Sequence, residues 1–249
     1  MNARLVLGVA CLALPLLAAV AAPLLAAVLA LDPAEPDLFN RFAPPSAANP
    51  LGTDDLGRDV LLRLAYGARV SLAVGLATAL AATVIGTAIG LVAAWAGGFA
   101  DAALMRLADG VLALPALPLL VILAAFGWVG VARLARAEAL STLARDHVRA
   151  ARALGVPEAR LLWRHVLPAL SGPVSVATAL AVAGAILAES TLSFLGLGIA
   201  PPAASWGNML AGAQDAVFEA PLAALWPGLC IMLAVAGATL LADGLRRRA

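Results

Sequence analysis

Side chains that commonly carry out enzyme chemistry are few in this chain, and their spacing does not fit it. His147 and His165 stand eighteen residues apart, whereas the HExxH zinc motif places its two histidines one helical turn apart. No GxSxG nucleophile motif occurs. Cys11 and Cys230 lie in separate apolar segments without CxxC spacing, which indicates packing rather than a disulfide or a metal pair. We therefore expect no catalytic residue and no metal site.

The basic residues narrow the chemistry further, because all sixteen of them are arginine. A Walker A loop needs a lysine to reach the nucleotide phosphates, and Schiff-base chemistry needs a lysine amine. Neither chemistry is open to a chain without lysine. We expect no cofactor, and any work driven by ATP must be done through another protein.

The composition is typical of a membrane protein. Of the 249 residues, 63% are hydrophobic and 12% are charged. A soluble core of this size could not hide so much apolar surface. The formal net charge of +1 gives no indication of a nucleic-acid partner, so the placement of the charges matters more than their sum.

Four apolar runs are long enough to cross a bilayer, which takes roughly 20 helical residues. They extend from Leu5 to Leu31, Val70 to Trp95, Pro173 to Leu197 and Pro221 to Ala242. A fifth run, from Val111 to Val131, is interrupted by Pro115 and Pro118. The first run could instead be a signal peptide, but it far exceeds the usual 7 to 15 apolar residues of one. The sequence therefore predicts an all-α bundle with five transmembrane spans.

The orientation of the spans follows from their arginines. The segment from Arg133 to Pro168 holds seven arginines and three acids, and an excess of arginine in a short loop marks the cytoplasmic side. Arg4 precedes the first span, and three arginines at 246–248 follow the last. Residues 32–69 and 198–220 hold most of the remaining acids, which suits the external side. We expect 1–31 to be an N-terminal span, 32–69 an external segment, 70–242 the transmembrane core and 243–249 a cytoplasmic tail.

This orientation conflicts with a single crossing at 111–131. The turn near Gly97 and the arginine-rich segment must both be cytoplasmic, so the chain has to leave and return between Ala100 and Ala135. Those thirty-six residues give two helices of about 25 Å each, slightly short of the hydrocarbon core. We therefore expect a short or re-entrant helical hairpin that turns at Pro115 and Pro118.

The arginine-rich segment itself predicts two helices joined by a sharp bend. Ser141 to Leu154 is rich in good helix formers, and Gly155 occupies the usual position after a helix end. Pro157 suits a first helical turn, and the apolar residues that follow recur near helical spacing until Pro168.

This segment resembles the EAA loop of ABC importer permeases, whose pattern is Glu-Ala-Ala, three residues, Gly, nine residues and Ile-x-Leu-Pro. The spacing is kept, with Arg149 at the Glu position and His165 at the Ile position. In such families this loop docks in a groove of the ATPase subunit. The resemblance therefore implies that the ATPase-coupling residues are Arg149, Ala150, Ala151, Gly155, Leu167 and Pro168. The alternative is an amphipathic loop that lies on anionic lipid.

Two further motifs are similar to the dipeptide, oligopeptide and nickel branch of the same permeases. Residues 49–72 read NPLGTDDLGRDVLLRLAYGARVSL, and residues 188–198 read AESTLSFLGLG before SWGNML at 205–210. In the first motif Thr53 or Asp54 could cap an amphipathic external helix, with Asp54–Arg58 and Asp59–Arg63 as pairs four residues apart. Arg106 and Asp109, three apart, could pair similarly.

Glu189, within the second motif, is an ionisable group inside an apolar span. Such groups usually face a bundle interior or an aqueous path, so Glu189 is either a pathway residue or a hydrogen-bonded packing residue.

The resemblance implies a permease subunit in the bacterial cytoplasmic membrane that moves peptides or nickel. Its partners would be cytoplasmic ATP-binding subunits, a homologous second permease, an external solute-binding protein and the lipid bilayer. Family members carry two well-separated spans before the loop, whereas here about one span is missing. The missing span leaves either a shortened but working hairpin or an inactive shortened permease. A self-contained channel or proton-coupled carrier that uses Glu189 is a separate alternative.

Overall fold

The computed structural model describes residues 3–112 and 119–247, and helices account for most of them. The helices are α1 (Ala3–Leu29), α2 (Val60–Ala96), α3 (Gly98–Leu112), α4 (Leu119–Leu143), α5 (Asp146–Ala153), α6 (Glu158–Leu161), α7 (Leu167–Phe194), α8 (Trp206–Ala213) and α9 (Pro221–Arg246). Two short 3₁₀ turns lie at Leu38–Asn40 and Gln214–Ala216.

Four helices in the described part of the chain are long and apolar enough to cross a membrane: α1, α2, the continuous helix from Glu158 to Phe194, and α9. They coincide with the four uninterrupted apolar runs. The expected count of five spans is not confirmed. The expected turn at Pro115 and Pro118 lies outside the described residues.

Helix α2 begins earlier than the apolar run that predicts it. Asp59 caps it by accepting a hydrogen bond from the Leu62 backbone N–H, and the helix then continues for 37 residues to Ala96. Residues 60–69 are therefore the first turns of this helix rather than a separate amphipathic helix. Arg63, in the first turns, is buried and donates to the Pro33 carbonyl, whereas Arg69 is exposed.

Helices α2 and α4 run parallel, side by side. Gly86 faces the Trp128 carbonyl oxygen and Val131, and Gly90 faces Ala132 and Ala135, so the residue numbers rise together along both helices. A Cβ at Gly86 would lie 2.5 Å from the Trp128 oxygen. Glycine is needed here because the two backbones touch. Since parallel neighbours end at the same face, the chain leaves and returns between Ala96 and the end of α4.

Helix α3 runs antiparallel to α4. Asp101, near the start of α3, forms a two-pronged ion pair with Arg136, while Asp109 pairs with Arg133. Next to Asp109, Ala108 packs against Trp128 and neighbouring residues of α4. The pairing of Asp109 with Arg133 replaces the expected local pair with Arg106. Two arginines of the arginine-rich segment are thereby paired with α3, Arg136 partly buried and Arg133 exposed.

One end of the bundle collects the arginine-bearing helix ends. Arg4 of α1 pairs with Asp243 of α9 at 3.0 Å. Ala94 of α2 packs with Ala139 of α4 and Leu170 of α7. We call this end the arginine-rich end. It gathers the start of α1, the ends of α2, α4 and α9, and the start of α7.

Pro168 does not end a helix. Residues Leu162–Val166 form one π turn, in which the Leu167 N–H bonds the Leu162 carbonyl, and the helix continues through Pro168 to Phe194. A proline lacks the N–H that an α-helix would use, and widening the preceding turn absorbs that loss. The expected second helix and the expected span from Pro173 are thus one continuous element.

Candidate functional site

The bend between α5 and α6 is built on the chain's own backbone. Gly155 has φ +80°, a left-handed conformation that glycine adopts without strain. Its N–H bonds the Arg152 carbonyl at 3.0 Å, and the Val156 N–H bonds the Ala151 carbonyl at 3.2 Å. This pair of bonds is the Schellman arrangement that satisfies the last carbonyls of a helix. The predicted glycine bend and second helix are present, whereas the predicted first helix is split: α4 ends at Leu143, and α5 begins at Asp146 after a turn.

Side chains brace the bend on both sides. Arg152 of α5 reaches across it to Glu158 of α6, with Nε to Oε1 at 2.7 Å and Nη2 to Oε2 at 2.9 Å. The rings of His147 and His165 lie 5.7 Å apart between centroids, which joins α5 to the π turn. The histidines thus have a packing role, and within residues 3–112 and 119–247 no cluster of three potential metal ligands occurs.

Three buried apolar residues fix this element to the bundle. Val148 of α5, Leu161 of α6 and Val166 of the π turn have no solvent exposure. Val166 packs with Ala139 of α4 and other residues at the arginine-rich end. The bend is therefore held rigidly against the ends of α4 and α7. We call residues 145–166 the bent element.

The expected coupling residues divide by exposure. Arg149, Ala150 and Gly155 are exposed and Ala151 is half-buried, so all four lie on or near the outer side of the bent element. Leu167 is half-buried, and Pro168 is exposed at the start of α7. The structure thus brings the first four together at the bend and places the last two in the following helix.

Two exposed apolar side chains escaped the sequence prediction. Leu154, at the end of α5, is 85% exposed, and Trp163, in the π turn, is 74% exposed. Trp163 interrupts the spacing of the buried Leu161 and Val166, which is the one signal that could have identified it. An isolated leucine at a helix end gives no such signal.

A cavity of about 680 Å³ opens beside the bent element. Glu138 and Arg145 line it from the α4 side, and Leu245 lines it from α9. From α7 it is lined by Pro168, Ala169, Ser171, Gly172, Pro173 and Ser175. The bent element therefore lies next to a gap between three long helices. A displacement of the bent element or of one of these helices would change the width of that gap.

Glu189 is completely buried in α7. Ser193 Oγ donates to its Oε1 at 2.8 Å, and Ser190 Oγ donates to its Oε2 at 3.4 Å. Ser193 Oγ in turn accepts the Ile199 backbone N–H at 3.1 Å. The carboxylate thus stands at the end of a short hydrogen-bond chain that reaches the loop after α7.

The opposite end of the bundle holds a buried polar cluster formed by Thr53, Asp54, Arg58, Asp59 and Arg63. Arg58 pairs with Asp54 at 2.8 Å, as the spacing predicts. Arg63 also pairs with Asp54, at 3.1 Å, rather than with Asp59. Burial raises the pKa of Asp59 above its ordinary value, against the opposing effect of the Leu62 and Leu61 backbone N–H groups.

This cluster fastens residues 31–59 over the start of α2. Arg63 donates to the Pro33 carbonyl at 3.1 Å, and Thr53 Oγ1 both donates to the Asn40 carbonyl and accepts the Ala43 N–H. Gly57, with φ +76°, lies against the Asp37 carbonyl, where any Cβ would collide. The motif at 49–59 therefore folds into turns that lock a surface segment, and no helix forms there.

Helix α8 completes this end. Trp206 is fully buried, with its backbone N–H 3.3 Å from Ser71 Oγ and its indole N–H bonded to the Leu64 carbonyl at 3.2 Å. Ser205 caps the helix in a capping box with Asn208. The SWGNML motif thus docks on α2 through its tryptophan.

Comparison with known proteins gives one family and several relatives. Residues 86–249 match the family described as binding-protein-dependent transport system inner membrane component. The chain is 42% identical over 230 residues to a probable peptide ABC transporter permease protein of Sinorhizobium fredii, covering 86% of this chain and 79% of the relative. It is 35% identical over 228 residues to the dipeptide transport system permease protein of Alkalihalophilus pseudofirmus, covering 86% and 75%. It is 33% identical over 225 residues to the oligopeptide transport system permease protein of Bacillus subtilis, covering 84% and 74%.

Proposed function

This chain belongs to the family of binding-protein-dependent transport system inner membrane components and is a multi-pass permease subunit of an ABC importer, and we propose that it moves peptides. The three relatives described above are named for peptide, dipeptide and oligopeptide transport, and this supports peptides over nickel. The subunit is not catalytic, and ATP hydrolysis takes place on separate subunits.

The bent element is the proposed contact with the ATPase. It lies at the arginine-rich end, which the positive-inside rule assigns to the cytoplasm. Its exposed side carries Arg149 and the small Ala150, and the exposed Leu154 projects from the end of α5. Small residues allow a partner's backbone to approach closely, and Leu154 would fill a pocket. The single observation that carries this assignment is the rigid bend at Gly155, held against α4 and α7.

Coupling would work through the helices attached to the bent element. Ala151 and Gly155 set its shape, while Leu167 and Pro168 lie where it continues into α7. A pull on the bent element would move α7 and the end of α4, and so alter the cavity between α4, α7 and α9. ATP-driven closure of the ATPase subunits would then switch the transporter between outward-facing and inward-facing states.

At the opposite end, residues 31–59 and α8 form the proposed external surface for the solute-binding protein. The translocation pathway would lie between this chain and a homologous second permease. Glu189 is fully buried within one chain and hydrogen-bonded to two serines, which supports a role in bracing the loop after α7 over a role in lining that pathway.

The short α3–α4 hairpin is proposed to be functional. The ion pairs of Asp101 and Asp109 hold it together, and α4 returns to the arginine-rich end parallel to α2. Both features supply what a working coupling segment needs, namely a rigid support on the cytoplasmic side. They favour a shortened but active permease over a damaged one.

Uptake by reconstituted transporter tests the function. The chain is placed in proteoliposomes with the second permease, the ATPase subunits and the solute-binding protein, and labelled di- and oligopeptides are offered outside. Uptake should require ATP and every subunit. Uptake by this chain alone would favour a self-contained channel or carrier. No uptake by a fully assembled complex, with any peptide, would favour an inactive permease.

A further inference from the structure

The bent element carries an excess of positive charge that its own acidic residues do not neutralise. Residues 145–164 contain five arginines and two acids. Arg152 is used internally by Glu158, whereas no ion pair forms at Arg145, Arg149, Arg160 or Arg164 within the described chain. Asp146 is the remaining acid, and it makes no ion pair either. A docking partner therefore meets a cationic surface.

The geometry of α5 turns Arg149 outward. Val148 is buried against the bundle, while its neighbour Arg149 points away from it. Arg145 precedes α5 and lines the cavity between α4, α7 and α9, so Arg149 is the cation of α5 that has no ion-pair partner within the described chain. Ala150 and Ala153, both exposed, leave the backbone near them open to close approach. The exposed Leu154 stands at the end of the same surface.

A protein groove fits this surface better than a lipid headgroup layer does. A helix that lies on a membrane directs a continuous apolar face toward the acyl chains. The apolar residue of α5, Val148, is instead used against the bundle, and the free side presents arginines and alanines. The permease loops that this segment resembles carry glutamate at position 149, and here the charge is reversed while the alanines and the glycine are kept.

We propose that the ATPase groove that receives α5 presents a carboxylate to Arg149 and an apolar pocket to Leu154, so that this permease and its ATPase pair through a charge opposite to the common one. The inference rests on the proposed docking of the bent element and adds the chemistry of the partner. A charge pair at the edge of an interface mainly selects the partner and contributes little affinity.

The absence of lysine gives a direct test. Arg149→Lys creates the one lysine amine in the chain, and a zero-length carbodiimide joins an amine only to a carboxylate in contact with it. The assembled transporter, with its ATPase subunits, is treated in nanodiscs whose lipids, phosphatidylglycerol and phosphatidylcholine, carry neither primary amines nor carboxylates. Mass spectrometry should find an amide between position 149 and an aspartate or glutamate of the ATPase.

Two matched variants control the chemistry. Arg152→Lys should form an amide with Glu158 inside the chain, which proves that the reagent reaches this surface. Arg247→Lys places the amine at the same end of the bundle but away from α5, and it should give at least about fivefold less coupling to the ATPase, in line with loss of a specific surface contact.

A second crosslink distinguishes failure of the charge pair at Arg149 from failure of the docking itself. A benzophenone-bearing amino acid at position 154 couples to any neighbour, whatever its charge. If it marks the ATPase while Arg149→Lys forms no amide and the Arg152→Lys control does, the docking stands and the charge inference is overturned. If it marks phospholipid, or nothing, the docking itself fails and the charge inference fails with it.

Discussion

Arg152 and Glu158 join across the Gly155 bend through two parallel N–H to oxygen contacts of 2.7 and 2.9 Å. Both side chains are more than one-third exposed, so the pair contributes only about 0.2–1 kcal/mol in water. The geometry of the bend depends mainly on the backbone of Gly155. The ion pair limits how far the two helices can swing once the bend has formed.

Gly155→Val should uncouple transport from ATP hydrolysis. Open space surrounds the position, so the variant meets no clash, but a left-handed backbone costs a β-branched residue upward of about 1–2 kcal/mol. The bend would relax and displace Leu154. We expect loss of ATP-dependent uptake with normal membrane insertion and normal assembly of the permease pair.

Gly155→Asn is the matched variant, because asparagine tolerates the left-handed region. It should keep most of the uptake. Equal activity of the valine and asparagine variants with the wild type would remove Gly155 from the coupling mechanism.

Gly86→Ala should loosen the bundle, because the added Cβ meets the Trp128 carbonyl oxygen at 2.5 Å and the Val131 Cβ at 2.8 Å. Overpacking of this kind typically costs about 1–3 kcal/mol. Gly130→Ala adds the same methyl group to α4 where nothing lies within 4 Å, and should be neutral or slightly stabilising. Thermal unfolding in detergent measures both. A similar melting temperature for the two variants would contradict the close approach of α2 and α4.

The pair formed by Asp101 and Arg136 should stabilise the hairpin of α3 and α4. A double-mutant cycle with Asp101→Asn and Arg136→Gln should return a coupling energy of about 1 kcal/mol, since the pair is two-pronged and partly buried. A coupling energy near zero would mean that the hairpin is held by apolar packing alone.

The same pair predicts a pH dependence. The hydrogen bond from Arg136 lowers the pKa of Asp101 below its ordinary value. A carboxylate with a lowered pKa stabilises the folded state above its unfolded pKa of about 3.9 and loses that contribution as pH falls through the lowered value. The stability difference between the wild type and Asp101→Asn should therefore be constant near neutral pH and shrink below about pH 4. A difference that persists at pH 3 would argue against the ionised pair.

Glu189→Gln distinguishes bracing from a pathway role. The amide oxygen can still accept the Ser193 hydroxyl, so a bracing residue should tolerate the change and keep most of its uptake activity. Glu189→Leu should remove the acceptor, free the loop after α7 and lower the melting temperature. Loss of uptake in Glu189→Gln without any loss of stability would instead indicate that the charge itself takes part in transport.

Local sequence patterns were sufficient for three of the four long apolar helices and for the bend. Uniformly apolar runs predict α1, α7 and α9 because their length alone matches a bilayer. Gly155 predicts the bend because its conformation is set by its own missing Cβ. These features depend on neighbours in the chain, and the sequence displays such neighbours directly.

Features that depend on distant partners were not predictable in the same way. The apolar run ends at Val131 in the sequence, but α4 continues to Leu143 because Asp101 and Asp109, more than twenty residues earlier, pair with its arginines. Likewise α2 begins at Val60 because Arg63 finds Asp54 and the Pro33 carbonyl. Charge counts cannot reveal which charges meet.

Helix α2 has a mechanical consequence for the importer. Its 37 residues form a rod about 55 Å long. Near its arginine-rich end, the backbone of α2 touches α4 at Gly86 and Gly90, close to where α4 supports the bent element. At its other end, α2 is capped by Asp59 and contacts residues 31–59 and Trp206. A tilt imposed on α4 by the ATPase must therefore be shared by α2. The rod would carry that tilt across the membrane to the surface proposed for the solute-binding protein.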